Sequence, residues 1–243
     1  MRLYLIRHAE SENNAKPPYE RVCDPSLTPV GRLQAEHLAQ WMKSLHLDTL
    51  ITSPFLRTLQ TTRSVLQTRP QPVHVWHDVF EQGGCYHGHE GATITGAAGL
   101  GRTHIRRELV MDSIQQRAET LSRTGDHSNP IAVTMDDEID ESGWWGGRPM
   151  ETEPQVRDRA AGVLRRLEST FVDQDVDVGL IIHANFLRCL LRELVGVVVN
   201  VDRLGPILNG SVSFVEWRES SWRLGWLNSV THLPARLITG REH

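Results

Sequence analysis

Leu3-Tyr4-Leu5-Ile6-Arg7-His8-Ala9-Glu10-Ser11 decides the fold of this 243-residue chain. Four apolar residues closed off by polar ones read as a buried strand. An Arg-His pair straight after such a run sits at the strand's exit, because burial selects apolar side chains. The event recurs downstream. Val178-Gly179-Leu180-Ile181-Ile182 ends in His183, and a helix-like stretch carrying Arg188 follows. In open α/β sheets ligands bind in the crevice outside the carboxyl ends of the strands. Two histidine exits, one beside an arginine, point to a site for an anion.

The segments between these strands read as alternating helices and strands. Thr28-Pro29 has the form of a helix start, Thr28 as N-cap and Pro29 in the first turn. Leu38, Trp41, Met42 and Leu45 follow at helical spacing as far as His46. Thr49-Leu50-Ile51 predicts a short second strand that exits into Ser53-Pro54 and a helix bearing Arg57 and Gln60. Val73–Trp76 predicts a third strand leading to Phe80-Glu81. Thr152-x-x-Gln155 resembles a capping box, and Val156, Ala160, Leu164, Leu167 and Phe171 form an apolar stripe behind it. Ser211–Trp217 and Trp222–Leu227 predict a late hairpin. Such alternation argues for a largely parallel sheet with helices on both faces. Residues 91–101 read as loop, 102–123 as a charged helix and 124–150 as irregular. We take the chain as a single domain over 1–243 with an insertion, a helical lid, at about 92–150. Trp144-Trp145 among glycines reads either as packing or as a mobile cover over the pocket.

Composition excludes several classes. The formal net charge of −4 supplies no basic field for nucleic acid. No apolar stretch approaches membrane-spanning length, and no leader-like segment precedes the first strand. Cys23, Cys85 and Cys189 are odd in number and widely spaced, which fits a reducing, cytoplasmic setting. None has an arginine six residues on, which disfavours a cysteine-based phosphatase. His87-Gly88-His89 lacks a third ligand at a diagnostic spacing, so no metal site is expected.

Four strand exits thus carry polar groups: Arg7-His8, Ser53 to Arg57, Glu81, and His183. Together with Asp24-x-x-Leu27-Thr28-x-x-Gly31, Ser53-Pro54-x-x-Arg57-x-x-Gln60-Thr61, Gly88-x-Glu90-Gly91, Asn209-Gly210-Ser211, Leu227-Asn228 and His232-Leu233, the chain resembles the histidine phosphatase superfamily, also called the phosphoglycerate mutase-like family. The resemblance implies a three-layer α/β sandwich around a mostly parallel sheet. It implies His8 as a nucleophile that forms a phosphohistidine, with Arg7 and Arg57 gripping phosphoryl oxygens bidentately. Glu81 would be the proton donor to the leaving oxygen, His183 a charge-stabilising partner when protonated, and Asn14 a phosphate ligand. Glu10 and Glu90 are rivals for the acid. The scheme needs no cofactor and no metal.

Two departures from the family pattern stand out. Ala9 replaces the usual glycine after the nucleophile. Ala184-Asn185 replaces Gly-Gly after the second histidine, which brings Asn185 within the range of phosphate or substrate. The expected activity is that of a histidine acid phosphatase-type phosphoric monoester hydrolase acting on a small-molecule phosphate ester. The alternatives are a phosphoglycerate mutase and a non-catalytic phospho-ligand binder on the same fold. The mutase-like branch usually has an arginine after the acid, whereas Glu81-Gln82-Gly83-Gly84 stands here.

Overall fold

A computed structural model describes residues 1–88, 93–110, 131–171, 174–196 and 204–241. Among the described residues the central sheet has seven strands: β1 (Arg2–Arg7), β2 (Thr49–Thr52), β3 (Val73–Val75), β6 (Val133–Met135), β7 (Asp177–Ile182), β8 (Val212–Arg218) and β9 (Ser221–Ser229). Their order is β6-β3-β2-β7-β1-β8-β9. The pairings from β6 to β1 are parallel, and β8 and β9 add an antiparallel hairpin beyond β1. Two-residue strands β4 (Tyr86–His87) and β5 (Thr95–Gly96) form a separate small ribbon.

Both faces of the sheet are covered. Side chains alternate along a strand, so Tyr4 and Ile6 of β1 enter one core and Leu3 and Leu5 the other. The first core is closed by α2 (Pro29–Met42) and α3 (Leu56–Thr68) through Leu38, Met42, Leu59 and Leu66. The second is closed by α5 (Glu153–Phe171) and α6 (Ala184–Val195) through Ala160, Leu164, Phe186 and Leu190. The expected α/β layering is therefore the observed one. A four-residue helix, α1 (Glu12–Ala15), follows the first strand exit.

Local chemistry explains the element ends. The Thr28 hydroxyl accepts from Gly31 N at 2.9 Å and caps α2. Gly31 lies so close to Glu10 that a Cβ there would stand 1.9 Å from the Glu10 carbonyl oxygen. Gln155 Oε1 accepts from Thr152 N at 2.8 Å, which ties down the start of α5. The β8–β9 hairpin turns on Glu219 and Ser220 at φ 52 and 59, the left-handed pair of a tight hairpin, without the glycine or asparagine usual there.

The region read as irregular differs from expectation. Val133–Met135 forms an edge strand on β3, and residues 102–110 form a helix, α4, whose predicted continuation to 123 lies outside the described residues. Trp144 and Trp145 are buried, not a cover. Their rings pack on Phe55 and Phe80 at centroid distances of 4.7 to 5.6 Å and on each other at 5.7 Å. Large aromatic side chains dominate core energetics and favour edge-to-face pairs, which is the arrangement these two indoles find inside the fold.

The expected result of Trp144→Ala is a loss of about 3–5 kcal/mol in unfolding free energy, measured by urea titration. A variant as stable as the parent would mean the indole is not a core element.

Candidate active site

The carboxyl ends of β1, β2 and β7 meet because the parallel register sets Arg7 opposite Ile182 and Thr52 opposite Ile181. The residues just past those ends, His8, Ser53 and His183, are consequently neighbours. His8 N donates to Ile182 O at 2.9 Å, and Ser53 N to Ile181 O at 3.2 Å. A cavity of about 420 Å³ opens at this edge. Of the residues expected in the site, it is lined by Arg7, His8, Asn14, Arg57, Glu81 and Asn185.

His8 is almost wholly buried. Its Nδ1 lies 2.7 Å from Ala9 O, an acceptor only, so Nδ1 carries the proton and Nε2 the lone pair. Arg57 Nε donates to that Nε2 at 3.1 Å. Burial, reinforced by Arg57 and Arg7, pushes the His8 pKa well below its ordinary 6.5 and keeps the ring neutral. The Ala9 methyl is accommodated: Ala9 is fully buried beside Leu27 and Ala35, and its N–H donates to Thr61 Oγ1 at 3.2 Å.

Two buried guanidiniums supply the positive field. Arg7 donates to Ile207 O through Nη1, while its Nε is buried without a hydrogen-bond partner among the described residues. Burial lowers its pKa to about 10, still protonated at neutral pH. Arg57 stacks on Phe55 with Cζ 4.1 Å from the ring centroid. Asn14 Oδ1 accepts from Ser11 N at 3.0 Å and Asn209 Nδ2 at 3.1 Å, which fixes which way its amide faces.

Glu81 lies on the pocket wall and Glu10 does not. Glu10 Oε1 is taken up by the Thr28 hydroxyl at 2.6 Å, and Glu90 lies outside the described residues. Glu81 Oε1 accepts from Gln82 N at 2.9 Å and Phe186 N, in the first turn of α6, at 3.0 Å.

His183 is placed behind His8, not on the pocket wall. Its exposure is zero, its ring centroid is 5.2 Å from that of His8, and Nε2 lies 2.8 Å from Ser53 Oγ. Burial, followed by Arg57, drives its pKa well below 6.5, so the ring stands neutral in this arrangement instead of adding charge.

Two residues of the site had no role assigned from the sequence. Asp24 Oδ1 accepts from Leu56 N at 2.9 Å and lies 4.0 Å from Arg57 Nη1. Burial raises its pKa to about 7 against the opposing pull of Arg57. Asn209 orients Asn14. Both belong to motif stretches legible in the sequence, but their side-chain directions are not. His89 of the His-Gly-His stretch is not among the described residues. Among those that are, no group of three His, Cys, Asp or Glu is arranged for a metal, and no helix is long and apolar enough to cross a membrane.

A profile of the histidine phosphatase superfamily (branch 1) matches residues 3–128 and 123–230. The chain belongs to this superfamily. It is 27% identical over 247 residues to a protein named probable phosphoglycerate mutase GpmB from Cronobacter sakazakii, covering 97% of this chain and 96% of the other. A shorter stretch of 69 residues, 28% of this chain and 33% of the relative, is 39% identical to phosphoserine phosphatase 1 of Hydrogenobacter thermophilus. The fold is similar to the alpha-ribazole phosphatase of Shigella flexneri, with a TM-score of 0.61, 21% identity and coverage of 94% and 96%. It is equally similar to a phosphoserine phosphatase of Entamoeba histolytica crystallised with phosphoserine, with a TM-score of 0.60, 20% identity and coverage of 96% and 99%. The superfamily's named members here are thus phosphatases and mutases.

The buried neutral histidines make stability depend on pH in one direction. Their folded pKa values lie below the unfolded 6.5. The unfolded chain therefore takes up protons below 6.5 that the folded chain refuses, and stability falls as pH falls. His183→Gln should flatten this fall by up to about 1.4 kcal/mol per pH unit, seen in urea titrations between about pH 6.5 and 5. An unchanged slope would mean that His183 is not held neutral.

Proposed function

We propose that this chain is a phosphomonoesterase that works through a covalent phosphohistidine on His8 and acts on a small phosphorylated metabolite. The observation that carries the reading is the state of His8: a neutral ring, its Nδ1–H committed to Ala9 O, its Nε2 lone pair facing Arg57 in a pocket whose wall carries Arg7, Arg21, Arg57 and the Glu81 carboxylate. An imidazole so held is a ready nucleophile. The phosphoryl group replaces Nε2 as the partner of the Arg57 fork. Arg7 and the Asn14 amide complete its grip, with Asn185 at the rim.

The Nε2 lone pair then attacks phosphorus and the ester P–O bond breaks. Its electron pair leaves on the alcohol oxygen, which takes the proton of Glu81. In the second half-reaction the Glu81 carboxylate accepts a proton from water as the water oxygen attacks phosphorus. This water takes the place the alcohol has already vacated; the P–N bond breaks, its electron pair returns to Nε2, and inorganic phosphate leaves. Charge stabilisation by fixed cations does most of the work in such transfers. His183, neutral and edge-on to His8, holds the nucleophile's ring in place. Small monoesters suit the size of the cavity, and the bound phosphoserine of one structural neighbour supports that class.

The near full-length likeness to a probable phosphoglycerate mutase favours a second reading. A mutase must hold a bisphosphate, which needs cations beyond those for one phosphoryl group. The described pocket wall offers only Arg21 besides Arg7 and Arg57, and the turn after Glu81 holds none. We therefore rank hydrolysis first.

Brief incubation with radiolabelled phosphoserine or another ester found by a metabolite screen, quenched in alkali, should leave acid-labile phosphate on the protein. His8→Ala should remove that label and lower turnover on the order of a thousandfold or more. Near-normal turnover in His8→Ala would defeat the mechanism, and interconversion of phosphoglycerates faster than phosphate release from any ester would reverse the ranking. Turnover is also expected to persist in EDTA; its loss, restored by zinc or magnesium, would overturn the metal-free scheme.

A further inference from the structure

Arg159 lies on α5, away from the pocket wall, yet its guanidinium touches both elements that hold Glu81. Nη1 donates to the carbonyl oxygens of Asp78 and Phe80 at 2.8 and 3.0 Å, the residues leading directly into Glu81. Its plane lies over the Phe80 ring at 3.6 Å and over the Phe186 ring at 4.1 Å. Phe186 is the residue whose N–H holds Glu81 Oε1. On its far side the guanidinium is gripped by Glu151, Nε to Oε1 at 2.8 Å and Nη2 to Oε2 at 2.7 Å, a bidentate pair with both side chains about nine-tenths buried. Glu151 in turn pairs with the backbone just beyond Glu81: its N–H donates to Gly83 O at 3.0 Å. Gly84 closes that turn at φ 90 with its N–H on Glu81 O, so close to Trp145 that a Cβ would stand 2.3 Å from the ring.

A surface ion pair contributes little. A buried, planar, two-ended one fixes geometry, which lysine cannot reproduce. We propose that Arg159, braced by Glu151, is the positioning residue for Glu81. It locks the strand exit on one side and the α6 N-terminus on the other, so that the carboxyl meets the leaving oxygen. The proposal rests on the reading of Glu81 as proton donor. It makes Arg159 a determinant of which esters the enzyme cleaves. Alkyl phosphates, whose alcohol must be protonated as it leaves, depend on the clamp, whereas aryl phosphates with acidic phenols do not.

The test compares kcat/KM for 4-nitrophenyl phosphate and glycerol phosphate in the parent, Arg159→Ala, Glu81→Gln and the double variant. Arg159→Ala should lower the value for glycerol phosphate by about 10–100-fold, as misplacement by an ångström does, and that for the nitrophenyl ester by less than about threefold. In the Glu81→Gln background the same change should add less than about twofold, because the two residues act as one unit. Arg159→Lys keeps the charge and the stem but not the fork, and should show the same pattern at lower amplitude if the alanine variant does not fold. Equal losses on both esters, or an undiminished loss in the Glu81→Gln background, would overturn the clamp. If Glu81→Gln itself weakens both esters equally, the assignment of Glu81 fails, and the clamp with it.

Discussion

The pairing of β1 with β7 is the constraint on which the site depends. Six parallel residue pairs, from Arg2 with Asp177 to Arg7 with Ile182, bring two apolar strands to a common end. A shift of one residue would turn every side chain to the opposite face, sending Leu3 and Leu5 into the layer built for Tyr4 and Ile6. The core on both faces thus sets the register, and the register sets the separation of His8 and His183. Hydrophobic packing, which carries no chemical information of its own, fixes the geometry of the reactive groups.

Around that frame the charges are arranged unevenly. Arg7 and Arg57 are buried, and neither has a carboxylate in direct bidentate contact. Arg57 has Asp24 at 4.0 Å, a carboxyl that burial itself inclines toward the neutral form. Arg159, in contrast, is neutralised by Glu151. The first two guanidiniums keep their charge directed at the pocket, whereas the third is held in a bidentate pair. Keeping cations desolvated and unpaired costs stability, and the apolar layers on both faces of the sheet offset that cost. The same desolvation that penalises the arginines keeps both histidines neutral, so the two effects come from one cause.

Much of this was legible in the sequence, and the misses have physical reasons. The strands ending at His8 and His183 announce themselves because a buried parallel strand is a continuous apolar run. The helix starts at Thr28 and Thr152 follow from capping chemistry acting within three residues. The strand Val133–Met135 was not legible: three residues are too few for a period, and only pairing with Val73–Val75 makes them a strand. Trp144 and Trp145 among glycines read as packing or as a cover, and only their contacts with Phe55 and Phe80, distant in sequence, decide for packing. Arg159 sits in an amphipathic helix among other arginines, where spacing cannot separate a solvated cation from one stacked between two phenylalanines. His183 was recognised by its strand, but its enclosure behind His8 depends on a third strand, through Ser53.

The bond from His8 Nδ1 to the carbonyl of the next residue has a consequence for isomerism. A ring anchored at one nitrogen by its own main chain cannot rotate to offer that nitrogen, nor pass a proton from one side to the other. Any covalent adduct is confined to the tele nitrogen, giving a single regioisomer, and the imidazole cannot serve as a proton relay. Proton transfer in this pocket therefore falls to groups other than this ring.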